Sequence, residues 1–581
     1  MPDVPERRDE RFDPQPIDRK WQERFDSDPA LYRAEPPSSG KAKFYVLEML
    51  PYPSGALHMG HVRNYSIGDA LARYMWMRGY NVLHPMGWDS FGLPAENAAI
   101  KAQVQPREWT LRNIAHMKSQ MKRLGFAYDW EREVTTCLPE YYRWNQWFFL
   151  KLYEKGLAYR KKSKVNWCPD CATVLANEQV VGGCCWRNET TTVEQRELEQ
   201  WFLRITNYAD ELLRDIDQLE GWPEKVRTMQ RNWIGRSEGA EVEFEVAPIE
   251  ATTPGKPTEG LPGAPKIKVF TTRIDTIYGA TSIQLAPEHP LVADLVASSP
   301  EVAAGVDRML TEQRRAREAG DVGSIEKHGV ATGRFAINPF NGEKIPIWVA
   351  NYILLDYGTG AIMSVPAHDE RDYEFATKYG LDIRVVVLPR KEGQTDAEKE
   401  SDATIPYGGT ESILINSGPF SGLGCEEAMV KMAAYAQEHG FGKPTVTFRL
   451  KDWGISRQRY WGTPIPMLYC AKCGVVPVPE NQLPVVLPEN VEITLAGGSP
   501  LGKVEDWVNT SCPKCGGKAR RETDTMDTFV DSSWYFYRYT DARNDRAPFD
   551  SAAANYWFEI YQYIGGVEHA ILHLIYSRFW T

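Results

Sequence analysis

Apolar blocks alternate with glycine and proline punctuation along the first 160 positions. Phe44-Tyr-Val-Leu-Glu-Met-Leu50 is a mostly apolar run that stops at Pro51, which predicts a buried strand. Pro51-Tyr-Pro-Ser-Gly55 predicts a turn. Small and apolar residues from about Gly60 to Arg78 predict a helix that ends at Gly79, and Asn81-Val-Leu-His-Pro85 predicts a second strand. Strand, glycine turn, helix, strand is the opening of a nucleotide-binding α/β unit. Trp109, Ile114, Met117, Met121 and Leu124 then follow helical spacing, with Gly125 as the cap. Tyr141 to Lys155 predicts a further, aromatic-rich helix whose rings pack the core.

The pattern changes near residue 235. Ala240-Glu-Val-Glu-Phe-Glu-Val246 alternates strictly, as a half-buried strand does. A Pro/Gly-rich loop follows at 254–265, and strand patterns recur at 267–272 and 345–365. This block runs to about Gly442 and predicts an inserted α/β domain. Lys451-Asp-Trp-Gly-Ile-Ser-Arg-Gln-Arg-Tyr-Trp-Gly462 returns to an Arg/Trp-rich idiom. No repeat or low-complexity tract is present.

Composition narrows the class. The chain has 581 residues, which predicts three or four domains. Hydrophobic content of 43% and charged content of 25% are ordinary for globular proteins. No apolar run approaches membrane-spanning length, and the polar start MPDVPERRDERFDPQP is unlike a secretory signal. A cytoplasmic protein without membrane partners is expected. The net charge of −11 gives no support for nucleic-acid binding by charge alone, although local patches suffice. One such run, Arg160-Lys-Lys-Ser-Lys164, reads first as a solvated face.

Candidate chemistry begins at His58-Met-Gly-His61. Alone, two histidines at this spacing read equally well as ordinary helix residues or metal ligands. Their context favours an anion site. They follow a strand and a turn and open a helix, where free backbone amides and the helix dipole attract negative charge. Two imidazoles there can donate to a phosphoryl group as charge develops on it. Gly60 permits close approach of a flat ligand.

The longer stretch Leu50-Pro-Tyr-Pro-Ser-Gly-Ala-Leu-His-Met-Gly-His-Val-Arg-Asn-Tyr65 resembles the first ATP motif of class I aminoacyl-tRNA synthetases. Gly87-Trp-Asp-Ser-Phe-Gly-Leu-Pro-Ala-Glu96 resembles the group specific for leucine, isoleucine and valine. Met49-Leu-Pro-Tyr52, Asn97 and the His569/His573 pair are most similar to the leucine enzymes. The resemblance spans nearly the whole chain. It implies a Rossmann-like parallel-sheet core interrupted by an editing domain and zinc modules. It implies ATP-dependent activation of leucine, with Mg²⁺ on the phosphates, and transfer to tRNA(Leu) by an enzyme that is monomeric at full length. His58, Gly60 and His61 would form the catalytic and ATP site together with Gly566 and Glu568. Asp89 would hold the leucine ammonium, as a carboxylate suits a cation. Met49, Leu50, Tyr52, His569 and His573 would line the amino-acid pocket, the two histidines lying i, i+4 on one helix face.

A hydrophobic pocket separates amino acids differing by one methylene by only ~1–3 kcal/mol, so a second, hydrolytic sieve is expected. Thr271-Thr-Arg-Ile-Asp-Thr276 and Gly358-Thr-Gly-Ala-Ile-Met-Ser-Val-Pro-Ala-His-Asp-Glu-Arg-Asp372 resemble the family's two editing motifs. By that resemblance Asp372, with Asp369 nearby, anchors the ammonium of a mischarged residue, and Thr276 blocks leucine. Tyr357 and Met363 shape the pocket, and Thr271, Thr272 and Arg273 surround the ester and terminal adenosine. Ile274 stands where relatives have proline, which loosens the turn without removing a polar group.

Eight of the ten cysteines fall in two sets. In a chain without a secretory signal, Cys-x-x-Cys reads as zinc before disulfide. Cys470/Cys473 and Cys512/Cys515 form two complete knuckles and predict structural zinc. Cys168-Pro-Asp-Cys171 would pair with Cys185-Trp-Arg-Asn188, whose asparagine is a poor ligand, so zinc at Cys168, Cys171 and Cys185 is a weaker expectation.

These signals predict an N-terminal extension (1–40), a first catalytic half (41–157), a zinc knuckle (158–195) and a connection (196–235). An editing insertion (236–442), a catalytic return (443–465), a zinc ribbon (466–525) and a second catalytic half (526–581) follow. The family's Lys-Met-Ser-Lys-Ser loop is not in this sequence. The expectation is a truncated enzyme, since a split inside a helix would leave Phe579 and Trp580 unpacked. An editing-only deacylase, a valine or isoleucine enzyme, and a zinc-ribbon RNA-binding protein are the alternatives.

Overall fold

The computed structural model describes residues 13–581 apart from 29, 54, 171–172, 176–179, 182–183, 186–187, 249–264, 320–325, 354, 356–357, 390–404, 490, 493–498 and 572. Two compact units emerge: residues 1–175, 194–233 and 451–581, and residues 176–193 and 234–450.

The first unit is built on a parallel sheet. Lys43–Glu48 is central, flanked by Asn81–Leu83 and Gln562–Ile564, with Phe44 opposite Val82 and Leu47 opposite Tyr563. After His84 the chain continues as Pro85–Trp88, which pairs in parallel with Asp129–Thr135. The predicted single strand 81–85 is therefore two strands broken at His84. The helix Met59–Met77 crosses over between the first two strands. It buries Tyr65, Gly68, Ala72 and Met75, one stripe at steps of three and four. Gly68 is required by packing: a Cβ there would lie 1.7 Å from the Glu48 carboxylate. Trp144, Trp534, Tyr141 and Tyr539 fill the core on the far side of the sheet, as the aromatic-rich pattern predicts.

A separate antiparallel sheet in this unit runs in the order Gly474–Pro477, Met467–Cys470, Lys518–Arg521, Asn509–Ser511. The Arg/Trp-rich segment returns to the Gly87–Glu96 stretch across 365 residues: the Trp461 amide donates to Glu96 (2.8 Å) and its indole donates to the Ser90 carbonyl (2.7 Å).

The second unit is a mixed sheet in the order Lys266–Thr271, Arg236–Val246, Gly329–Ile337, Lys344–Ala350, Ser282–Leu285, Ala361–Ser364, with Gly442–Phe448 also on Arg236–Val246. The predicted strand region 345–365 is two strands with a turn between them. The alternation in Arg236–Val246 sorts its faces: Val242, Phe244 and Val246 enter the core, while Glu241 and Glu243 meet Lys268 and Lys266 on the neighbouring strand. Among the described residues no helix is long and apolar enough to cross a membrane.

Candidate functional sites

The turn after the central strand delivers His58 to the N-cap of Met59–Met77. Its Nδ1 accepts the Gly60 amide (3.1 Å), and His61 Nδ1 accepts the His58 amide (3.3 Å). This is a capping box made of histidines. The rings stack with centroids 3.8 Å apart. With both Nδ1 atoms accepting, each neutral ring carries its proton on Nε2, leaving two Nε2–H donors at a helix N-terminus. Desolvation and the neighbouring His58 push His61 below the usual imidazole range, which favours that neutral form. A Cβ on Gly60 would come within 2.9 Å of the His58 ring, so the glycine makes room for the cap itself.

Asp89 follows the strand Pro85–Trp88 and is 2% exposed. Its amide donates to the Pro51 carbonyl (3.0 Å), and Tyr52 hydrogen-bonds its carboxyl. Desolvation and the Asp527 carboxylate raise Asp89 well above the ordinary carboxylate range. A buried Asp89 with an unpartnered Oδ1 is primed for a cation. Asp527 and Asp531, which sequence reasoning passed over, belong to the same acidic group. Asp527 accepts from Arg457 (2.7 Å) and Trp453 (3.1 Å), and Asp531 accepts from Thr463 (3.1 Å) and Asn145 (2.5 Å). The signal was the recurrence of aspartate in Asp524-Thr-Met-Asp-Thr-Phe-Val-Asp531. Leu50 is buried, Met49 is half-buried, and the Met49 amide donates to Ile564 (3.0 Å).

His569 and His573 do not share one helix. His569 lies in the 3₁₀ turn Val567–Ala570, Ile571 is extended, and His573 opens the helix His573–Trp580. The extended residue breaks the i, i+4 register assumed from spacing. The rings nevertheless meet edge to face at 5.5 Å. Burial, with His569 beside it, drops His573 to about 3, so it is neutral at any working pH. Gly566 caps the 3₁₀ turn and Glu568 is exposed within it.

In the second unit, Thr271 ends a strand that lies against Ala361–Ser364. This brings the two editing-like motifs side by side. Thr271 Oγ1 accepts the Arg273 amide (3.0 Å), and Thr272 is exposed. Arg273 forks onto buried Asp275 (2.8 and 2.9 Å) and donates to the Gly408 carbonyl (2.7 Å). Ile274 opens the 3₁₀ helix Ile274–Gly279 and packs in the core. Thr276 is buried there, with its hydroxyl on the Arg273 carbonyl (2.7 Å). Met363 faces the core, and Tyr357 lies outside the described residues. Asp369 is a helix N-cap, accepting the amides of Arg371 (2.9 Å) and Asp372 (3.2 Å). Asp372 is 3% exposed; it accepts the Val365 amide (2.8 Å) and contacts the Tyr352 hydroxyl (3.4 Å). Desolvation first, then Asp369, raise it to about 7.

The Sγ atoms of Cys470, Cys473, Cys512 and Cys515 lie within 4.8 Å of one another. Four thiolates around one zinc ion sit ~3.8 Å apart, and Cys470 and Cys515 are 3.6 Å apart. Backbone amides of Cys473 and Lys472 pull the Cys470 thiol down to about 7, while the neighbouring thiols push Cys473 up to about 12, a crowding of sulfurs that a bound cation would relieve. The donor set therefore fits a metal ion. Cys168 and Cys185 are buried, and Cys171 lies outside the described residues.

Comparisons with known proteins agree with this geometry. The family model for class I tRNA synthetases (I, L, M and V) matches residues 20–239 and 444–562. The model for the leucyl-tRNA synthetase editing domain matches residues 231–437. The leucine–tRNA ligase of Solibacter usitatus is 62% identical over the whole of this chain, which spans 68% of that relative. The leucine–tRNA ligase of Nitratidesulfovibrio vulgaris is 56% identical over 98% of this chain and 66% of its own length. The leucine–tRNA ligase subunit alpha of Aquifex aeolicus is also 56% identical, with 98% of this chain and 89% of the relative covered. Among solved structures, an Agrobacterium radiobacter LeuRS–tRNA–LeuAMS ternary complex matches with a TM-score of 0.79 and 45% identity, over 98% of this chain and 65% of that one. The chain thus spans about two thirds of the length of most of these relatives. The class I model covers more than half of the chain, the editing model covers its insertion, and the parallel sheet with its histidine-capped helix supplies the matching architecture: the chain belongs to the leucyl-tRNA synthetase family.

Proposed function

We propose that this chain carries the leucine- and adenosine-binding side of a leucine–tRNA ligase, together with its hydrolytic editing site. The activation reading rests on one observation above all: the histidine capping box, with two Nε2–H donors, follows the central strand of a parallel sheet, and buried Asp89 is tied to the same turn through its amide on the Pro51 carbonyl. Asp89 would take the leucine ammonium, with Tyr52 orienting its carboxyl. Leu50, Met49 and the neutral His573 and His569 would bound the side chain. His58 and His61 would donate to the phosphates of ATP as charge develops on them, with Gly566 and Glu568 near the nucleoside. This is positioning and charge stabilisation, not covalent catalysis. Magnesium bound with the triphosphate would neutralise phosphate charge.

In the second unit, Asp372 would anchor the ammonium of a mischarged amino acid. Thr276, Met363 and Tyr357 would bound its side chain, and Thr271, Thr272 and Arg273 would stand beside the ester. The four-cysteine cluster would hold structural zinc. Thiolate ligands of this kind suit the reducing cytoplasm.

Leucine-dependent pyrophosphate exchange and deacylation of mischarged tRNA(Leu), measured on the same chain, test both halves. Exchange with leucine, exceeding that with valine or isoleucine, and hydrolysis of the mischarged ester are expected. Deacylation without exchange would leave the editing-only reading. Absence of both would overturn the assignment of these sites.

A further inference from the structure

Three side chains from three elements meet behind the second unit's acidic site. Asp372 lies on the helix Glu370–Tyr379, Tyr352 in the turn after the strand Lys344–Ala350, and Gln284 in the strand Ser282–Leu285. The Tyr352 hydroxyl contacts Gln284 Oε1 and also lies 3.4 Å from Asp372 Oδ1. A phenol has one proton to donate, so it cannot serve both acceptors. When Tyr352 donates to Gln284, its contact with Asp372 is favourable only if the carboxyl carries a proton and donates to the phenol oxygen. When Asp372 is ionised, the phenol proton belongs on the carboxylate. Gln284 is fully buried and its Nε2 is unpartnered, as are the buried hydroxyls of Ser282 and Ser364, which face each other across the same strand pair. Polar groups of this kind beside Gln284 allow its amide to exchange partners when the tyrosine proton leaves it.

We propose that Tyr352 is a positioning residue that switches its single hydroxyl proton between Gln284 and Asp372, so that the carboxyl is neutral in the empty editing site and anionic when a substrate ammonium is present. The proposal deepens the editing function argued above and rests on it. Asp372 is buried at 3% exposure, and among the described residues the cation flanking it is Arg371, whose guanidinium is paired with Asp369. Burial and the Asp369 carboxylate raise Asp372 to about 7, the range in which such a switch operates. The groups facing the pair are few. Asp369 and Arg371 come from the same helix as Asp372, the Val365 amide (2.8 Å) from the end of the neighbouring strand, and Tyr352 from the turn. The strand Ser282–Leu285 contributes only the uncharged Gln284 and Ser282 to this face. Proton balance is simple. Ammonium entry ionises Asp372 and one proton leaves to solvent, while the tyrosine proton changes acceptor without leaving the pair.

The relay makes opposite predictions for its two ends. Tyr352→Phe removes the donor that stabilises the carboxylate, so the acid limb of the deacylation pH profile should move to higher pH. Gln284→Met removes the competing acceptor at nearly constant volume and leaves Tyr352 on Asp372, so the same limb should move to lower pH. Each shift is expected to be at least ~0.5 pH unit, the scale on which one hydrogen bond to a charged group moves a pKa. Shifts in the same direction, or loss of rate without any shift, would overturn the relay. Infrared titration of the full chain carrying ¹³C-carboxyl aspartate, compared with Asp372→Asn, reads the same midpoints without deacylation. Opposite spectroscopic shifts in a chain that hydrolyses nothing would refute the editing reading and keep the relay. Coincident midpoints would remove the relay whatever the enzyme does.

Discussion

The two nitrogens of His58 stand in different surroundings. Nδ1 caps a helix and Nε2 is left to donate, and substitutions can separate the two. Asparagine is a strong N-cap but lacks a donor at the Nε2 position, whereas alanine lacks both. His58→Asn should keep the parent melting temperature, while His58→Ala should lose about 1 kcal/mol. Both should weaken pyrophosphate exchange by about 10²-fold if the donor works on developing phosphate charge. Should the asparagine variant exchange at the parent rate, the histidine is only a cap. The sequence pointed to this pair, but not to which nitrogen is free. That follows from two backbone amides that only the folded turn brings to the rings.

At the scale of elements, His368 shows how a motif histidine can be occupied by structure. Its Nδ1–H donates to the Tyr407 carbonyl (3.0 Å) and its Nε2 accepts the Val386 amide (3.1 Å). The ring ties together segments on either side of 390–404 and has no nitrogen left for hydrolysis. Burial lowers its pKa below the usual imidazole range. Its neutral form is therefore the folded form. The stabilisation is complete above the unfolded pKa of ~6.5 and is lost as pH falls toward the lower folded value. His368→Phe should reduce stability at pH 8 by about 1–3 kcal/mol, because it strands a buried donor and acceptor. It should also flatten the decline in melting temperature between pH 7 and 5, and an unchanged slope would show that the ring titrates freely. The four-thiol cluster joins its two knuckles in the same manner. Elemental analysis should find one zinc ion lost per chain with Cys512→Ser, and chelation should lower the melting temperature of the parent but not of the variant. Zinc retained by the variant would place the ion elsewhere.

For the whole molecule, the two acidic sites fall in separate compact units, so their losses should be separable. Asp89→Ala is expected to abolish leucine-dependent exchange and leave deacylation within about twofold, and Asp372→Ala to do the reverse. The independence of sites that are built from separate sets of residues and share no partner is the physical basis. Assays in which either variant silences both reactions would contradict it.

Much of this architecture is written locally. The apolar run at 44–50, the helical stripe through Tyr65, Ala72 and Met75, the alternation at 240–246 and the paired Cys-x-x-Cys knuckles each depend on residues close together in the chain, and each has the structure its periodicity or spacing predicts. Periodicity carries no information about partners hundreds of residues away. Thus the break between His569 and His573, the gathering of Asp527 and Asp531 beside Asp89, and the fork of Arg273 onto Asp275 were decided by the tertiary structure. So was the meeting of Tyr352, Gln284 and Asp372. The reason is the same in each case: spacing along the chain names the groups able to carry charge or protons, but only burial and the neighbours it imposes decide which of them keep a proton, which are paired, and which are left to act.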